Sequence, residues 1–392
     1  MIISAKRIIT GDGKTVLTDQ AICFDKNSIK RIAPLNDLIL EFPDHEVKEF
    51  GDSTILPGLI DMHVHIGYTF MRPDESLFTP FLKTLLAFNN LRKAFEAGVT
   101  TIRDVASETG LCVGLKTASQ RDYIEIPRLI SCEAGIAMTG GHGWQIGKGE
   151  VVEVDGPWEL RKAIRTQIRE GADWIKIMTS HRTSTPEFTQ EELNAAVDEC
   201  HRVGKKVAVH AGAQPSIGMA IKAGFDTIEH GTFITVEQAI EMKEKNLVWV
   251  PTIIAYNHYF ENYIKPSYEK NLVTETEYLY VKRAVDAYTD NFMKIADTGV
   301  KIVAGTDLVS PGAPTTPVAK ELAYMVKFGM TPLAAIQSAT NAPAEVLGLC
   351  DKIGLIKEGF LADILVVSGD ASTDIKALEN VSSVFYAGKK II

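Results

Sequence analysis

Apolar and polar positions change rhythm twice along the chain, and the changes mark three stretches. From Met1 to about Ser53, short β-prone runs (Ile2-Ile3, Ala21-Ile22-Cys23-Phe24, Ile29-Lys30-Arg31-Ile32) alternate with turn residues such as Gly11-Asp12-Gly13, the pattern of a small β unit. The far end repeats it, with strand-like runs at 362–367 and 381–386 separated by the polar stretch 369–374. Between them lie short apolar runs at 60–65, 100–104, 128–131, 174–178, 207–210, 227–230, 248–252 and 302–307. Amphipathic stretches separate most of them, including 159–170, 189–203 and 216–223; Thr189 with Glu192 three residues later forms a capping-box signature. Strand and helix alternating eight times predict an α/β fold, a (β/α)₈ TIM-like barrel over 57–357. The ends, 1–56 and 358–392, are expected to join in one small β-sandwich domain.

A barrel gathers its chemistry at the C-terminal ends of its strands, so the polar residues there carry the next step. The first run ends in Leu59-Ile60-Asp61-Met62-His63-Val64-His65, and strand alternation sends both imidazoles to the same side. Two neutral histidines facing one point suit a divalent cation. His210 ends the fifth run, His230 the sixth and Asp307 the eighth, while Lys176 lies inside the fourth, between Ile175 and Ile177. Each has a bland reading. A strand-end histidine is commonly a hydrogen-bonded structural residue, and Asp307 would serve as the cap of a turn. A lysine inside an apolar strand is costly unless its amine is neutralised or engaged, which leaves a buried salt bridge or a carbamate made with carbon dioxide.

Bulk composition narrows the partners. With 392 residues, 45% hydrophobic and 23% charged, the chain is of ordinary globular character and long enough for a large barrel with an appendage. A formal charge of −9 argues against nucleic acid or an anionic membrane as partner and favours a small-molecule substrate. Cys23, Cys112, Cys132, Cys200 and Cys350 are scattered without C-x-x-C spacing, so neither a disulfide framework nor a thiolate metal site is expected. Without a charged-then-apolar leader or an apolar run of membrane-spanning length, the expected compartment is cytoplasmic. The expected assembly is a homo-oligomer, as is common for soluble enzymes.

Taken in order, Leu56-Pro57-Gly58-Leu59-Ile60-Asp61-Met62-His63-Val64-His65, Gly98-Val99-Thr100-Thr101-Ile102-Arg103-Asp104, Trp174-Ile175-Lys176-Ile177, His210-Ala211, Ile228-Glu229-His230-Gly231, Ala304-Gly305-Thr306-Asp307 and Thr340-Asn341-Ala342-Pro343-Ala344 resemble the amidohydrolase superfamily. The resemblance spans nearly the whole chain and points to the branch with two metals and a carboxylated lysine. It implies that His63, His65 and Asp307 hold one divalent ion, with zinc the first choice, that His210 and His230 hold the other, and that carboxylated Lys176 bridges both. It further implies a metal-bridging hydroxide attacking a carbonyl, with Asp307 passing its proton to the leaving nitrogen.

Within the superfamily the chain most resembles the imidazolonepropionase-related and Xaa-Pro dipeptidase-like members, through Thr139-Gly140-Gly141-His142-Gly143 after the third strand. That likeness gives His142 the task of polarising the scissile carbonyl, and gives Tyr256, after the seventh strand, a substrate carboxylate to meet. Tyr256 reads equally as a packing residue in an aromatic-rich helix with Tyr259, Phe260 and Tyr263. After the fourth strand, many relatives carry a glycine-rich loop, whereas this chain has Thr179-Ser180-His181-Arg182-Thr183-Ser184-Thr185-Pro186. Arg182 there is either a bidentate clamp for a substrate carboxylate or a solvated loop residue. The expected reaction is hydrolysis of the C–N amide bond of an N-acyl amino acid or dipeptide, as by a carboxypeptidase or prolidase. The alternatives are a cyclic-amide hydrolase or a deaminase of a small heterocycle, and, outside enzymes, a ligand-binding barrel with a structural metal.

Overall fold

The apolar runs become a ring of strands. In the computed structural model, which describes residues 1–67, 79–144, 149–179, 185–307 and 317–392, they are Leu59–Val64, Val99–Asp104, Arg128–Ser131, Trp174–Met178, Lys206–Ala211, Thr227–His230, Val248–Val250 and Lys301–Ile302. Most are buried along their whole length, which is why they read as near-continuous apolar runs rather than alternating ones. From the fourth strand to the eighth the pairing is parallel, through Lys176↔Ala208, Ala208↔Thr227, Thr227↔Val248 and Val248↔Lys301. Backbone bonds close the ring: Met62 N–H donates to the Ala304 carbonyl at 3.0 Å, and Asp173 N–H to the Ser131 carbonyl at 2.8 Å. With helices in most of the connections, this is the expected TIM-like barrel.

Local chemistry explains the boundaries. The seventh strand stops at Val250 because Pro251 has no N–H and Thr252 turns left-handed (φ 50°), leading into the helix Ile253–Tyr259. The eighth is regular only over Lys301–Ile302, although Val303 N–H still bonds to the Trp249 carbonyl at 3.0 Å. Two further short strands, Gly135–Ala137 and Val151–Glu153, lie between the third and fourth, and Ile136 pairs with Ile177. The helix expected at 159–170 starts earlier, as Gly156–Glu170, because Pro157 presets φ for its first turn. The capping box holds as read, with Thr189 N–H donating to the Glu192 carboxylate at 2.7 Å ahead of helix Gln190–His201.

Two compact units divide the chain: Met1–Asp61 with Leu91–Ile102 and Pro314–Ile392, and Met62–Asn90 with Arg103–Ala313. In the first, both ends of the chain build two sheets. One has the order Ile29–Ala33, Ala21–Phe24, Ile2–Ser4, Val47–Glu49; the other has the order Lys389–Lys390, Val381–Tyr386, Ile364–Ser368, Ser53–Pro57, Arg7–Ile9, Val16–Leu17. Antiparallel pairing of Ile364 with Pro57 and of Val366 with Ile55 ties the ends together. Ile3, Ile8, Ile22, Phe24, Ile55, Val366 and Phe385 fill the space between the sheets, the two phenylalanines meeting edge to face at 5.2 Å. Among the described residues no helix is long and apolar enough to cross a membrane.

Candidate metal centre and active site

Every candidate ligand lies in the second unit, His63, His65, His210, His230 and Asp307 at the strand ends and Lys176 inside the fourth strand. His63 and His65 face the same point, and Asp307 joins them; the ligand atoms of the three lie within 4.8 Å of one another. Asp307 Oδ1 stands 3.1 Å from His65 Nε2 and 3.6 Å from His63 Nε2. Its place is set by backbone: Asp307 N–H donates to the His63 carbonyl at 2.7 Å, and its φ of 58° turns the side chain back over the strand ends. His230 is also left-handed (φ 63°). Its ring lies 4.9 Å from that of His63 and 4.4 Å from that of His210. Left-handed conformations at non-glycine residues cost about 1–3 kcal/mol each and cluster at functional sites. Gly305 is required by a close approach, since a Cβ there would meet His63 Cβ at 2.7 Å and His63 N at 3.0 Å.

The imidazole nitrogens are oriented from behind. His63 Nδ1 meets the Glu229 carboxylate at 2.6 Å, and His65 Nδ1 meets the Ala106 carbonyl at 2.8 Å. Both partners only accept, so both Nδ1 atoms carry the proton, and on the His63 ring, whose pKa is depressed, this leaves Nε2 unprotonated. His230 Nδ1 is 2.7 Å from Thr252 Oγ. Burial pushes His63 and His210 well below the ordinary histidine range and His230 down to about 4, so these rings favour the neutral form that a cation would need. Burial also acts on His65 and Asp307 but is outweighed: Asp307 raises the His65 imidazole, and His63 followed by His65 lowers the Asp307 carboxyl. Lys176 is 1% exposed, and its Nζ has no hydrogen-bond partner among the described residues. Burial lowers its pKa, against the charge of Glu229. A buried amine without a hydrogen-bond partner among the described residues, beside imidazoles and an ionised carboxylate, fits the donor set of a cation centre with a modified lysine.

His142 stacks on His210 at 3.9 Å, and its N–H donates to Glu187 at 2.8 Å. Tyr256 is half-buried, 5.9 Å from the His230 ring and 5.6 Å from that of Tyr288, and burial raises its hydroxyl pKa, so it stays protonated. Both are thus beside the candidate ligand histidines. Arg182 lies outside the described residues.

Residues 54–391 match the Amidohydrolase family. The chain belongs to that family. Ochratoxinase from Aspergillus niger is 29% identical over 99% of this amidohydrolase and 85% of its own length. Its crystal structure superposes with a TM-score of 0.85 at 27% identity, covering 99% of this chain and 94% of that one. The crystal structure of a Xaa-Pro dipeptidase with bound methionine in the active site gives a TM-score of 0.88 at 32% identity, over 99% and 98% of the two chains. Imidazolonepropionase from Geobacillus kaustophilus is a more distant relative, 21% identical over 90% of this chain and 84% of its own. This amidohydrolase is accordingly a hydrolase acting on carbon–nitrogen bonds of small molecules, in a family that generally uses divalent metals.

Sequence reasoning passed over two charged residues. Glu229, behind His63, is fully buried, and Arg103 Nη2 donates to its Oε1 at 2.7 Å with Arg103 equally buried. The signal was present, because both are charged residues next to isoleucine inside apolar strands, the anomaly that singled out Lys176. Glu187, the acceptor for His142 N–H, offered no such signal in its loop.

Proposed function

We propose that this amidohydrolase removes the C-terminal residue of N-acyl amino acids or dipeptides at a two-cation centre. In it His63, His65 and Asp307 would hold one ion, His210 and His230 the other, and a carboxylated Lys176 would supply ligand oxygens to both. The observation that carries the reading is the Lys176 amine, buried inside the fourth strand without a hydrogen-bond partner among the described residues and close enough to act electrostatically on His63, His210 and His230. Desolvation favours a neutral, nucleophilic amine, and addition of carbon dioxide with loss of a proton would convert it into a carboxylate-like ligand. Two divalent cations, zinc first among them, would lower the pKa of a water between them toward neutrality and polarise a carbonyl oxygen.

The chain's own groups supply the remaining steps. Asp307, held ionised by His63 and His65, takes the proton of the attacking water and delivers it to the leaving nitrogen. His142, beside His210, donates a hydrogen bond to the scissile carbonyl as negative charge develops on its oxygen. The Tyr256 hydroxyl, kept protonated by burial, donates to the substrate carboxylate, with Arg182 as its charged counterpart. The names of the Xaa-Pro dipeptidase and ochratoxinase neighbours support an acyclic amide as substrate.

The test is a panel of N-acyl amino acids and dipeptides, Xaa-Pro peptides included, set against lactams and aminated heterocycles, using zinc-reconstituted protein with metal counted by elemental analysis. Release of a free C-terminal amino acid at two ions per chain is expected. Turnover confined to the cyclic compounds, or a single ion at full activity, would overturn the reading.

A further inference from the structure

Beneath His63 lies a closed set of charges that the proposed chemistry does not use. Arg103 is fully buried and spends its donors on three acceptors: Nε on the Met62 carbonyl at 2.7 Å, Nη1 on Thr227 Oγ at 3.1 Å, and Nη2 on Glu229 Oε1 at 2.7 Å. Its guanidinium also lies 4.7 Å from the Trp174 ring centre. Thr227, having accepted from Arg103, donates its hydroxyl to Glu229 Oε1. One carboxylate oxygen thus receives two donors, and the other, Oε2, is turned to His63 Nδ1 at 2.6 Å. Guanidinium has no acceptor and carboxylate no donor, so the direction of every bond in the chain is fixed.

Resting on the metal-centre reading, we infer that Arg103 and Glu229 are positioning residues that lock His63 in the tautomer with its proton on Nδ1, so that Nε2 is bare for a cation. A buried carboxylate behind a ligating histidine fixes ring orientation and raises ligand basicity. Here the direction of the lock comes from Arg103. An arginine that must donate to Glu229 Oε1 leaves only an acceptor for the histidine.

The isosteric variant Glu229→Gln exposes the logic. Arg103 and Thr227 both demand an acceptor, so the glutamine turns its oxygen to them and its NH₂ to His63. Nδ1 must then accept, and the proton moves to Nε2, where it blocks a cation. In Glu229→Gln/Arg103→Met the demand is removed and Thr227 can accept, so the amide flips and the original tautomer returns.

The experiment is a two-bond ¹H–¹⁵N correlation spectrum of metal-free protein labelled at its 9 histidines, with His63 assigned by its loss in His63→Asn, paired with chelator competition for Zn²⁺. Expected are Nδ1–H at His63 in the wild type, and Nε2–H with zinc bound about 10–100-fold more weakly in Glu229→Gln. The double variant should regain Nδ1–H and part of the affinity. A wild-type His63 protonated on Nε2, which needs no variant to fold, would overturn the inference. So would a Glu229→Gln protein that keeps Nδ1–H and full affinity. Failure of the wild type to bind zinc at all would sink the metal centre instead, and the tautomer, read without metal, would still decide the lock.

Discussion

Replacing Lys176 with methionine should make the metal-free protein more stable while removing its function. The side chain is 1% exposed, so methionine of similar length keeps the contacts of the aliphatic stem. What it removes is an amine with no hydrogen-bond partner among the described residues. Leaving a buried polar group unmatched costs about 1–3 kcal/mol relative to an apolar isostere. The opposing effect is the loss of attraction to Glu229, whose charge favours the ammonium form. Arg103 already matches that carboxylate at 2.7 Å, so the desolvation effect should win and stability should rise by about 1–3 kcal/mol. Urea titration of the two metal-stripped proteins reads this as a higher midpoint at unchanged slope. Elemental analysis of the reconstituted variant should show loss of the second ion, with amide hydrolysis falling by more than about 100-fold. A metal-free variant destabilised by about 1 kcal/mol or more would show that the amine has a structural partner, and unchanged metal content and rate would refute the bridge.

Three further outcomes follow from the same geometry. Gly305→Ala places a Cβ 2.7 Å from His63 Cβ and 3.0 Å from its backbone nitrogen, where neither can easily yield. Overpacking of this kind costs about 1–3 kcal/mol, and weaker zinc binding should accompany it; wild-type affinity would show that the strand ends adjust freely. His142→Asn should lower kcat by about 10²–10³, as loss of an oxyanion donor does, at unchanged metal content, whereas a parallel loss of metal would make His142 a ligand. Acid should destabilise the metal-free protein. His63, His210 and His230 titrate below their unfolded value of 6.5 when folded, His230 at about 4. Their contribution is therefore complete above pH 6.5 and is lost as pH falls below it, each by up to about 1.4 kcal/mol per pH unit. His65, raised by Asp307, acts in the opposite sense but only above pH 6.5. A urea midpoint that holds level from pH 6.5 to 5 would show that these rings are not buried neutral.

The strand order of the barrel was legible because parallel strands buried on both faces leave continuous apolar runs, and most of the proposed ligands could be picked out because they sit where such runs end. Local rules also sufficed at Thr189, where one side chain and its partner three residues on settle a helix start. They failed where tertiary pairing rather than pattern makes the element: Gly135–Ala137 is three residues long and exists as a strand because Ile136 finds Ile177. Alternation also misjudges Glu229 and His230, neighbours that a regular strand would send to opposite faces. Both reach His63 because His230 is left-handed, its ring 4.9 Å from that of His63 while Glu229 bonds to Nδ1 at 2.6 Å. The histidines alone are weak evidence, since a strand-end imidazole is easily structural. Lys176, Arg103 and Glu229 carry more, because a charge in the middle of an apolar strand cannot be explained by the fold. Two of them match one another, and the third, left without a partner among the described residues, is the one whose charge the chemistry must change.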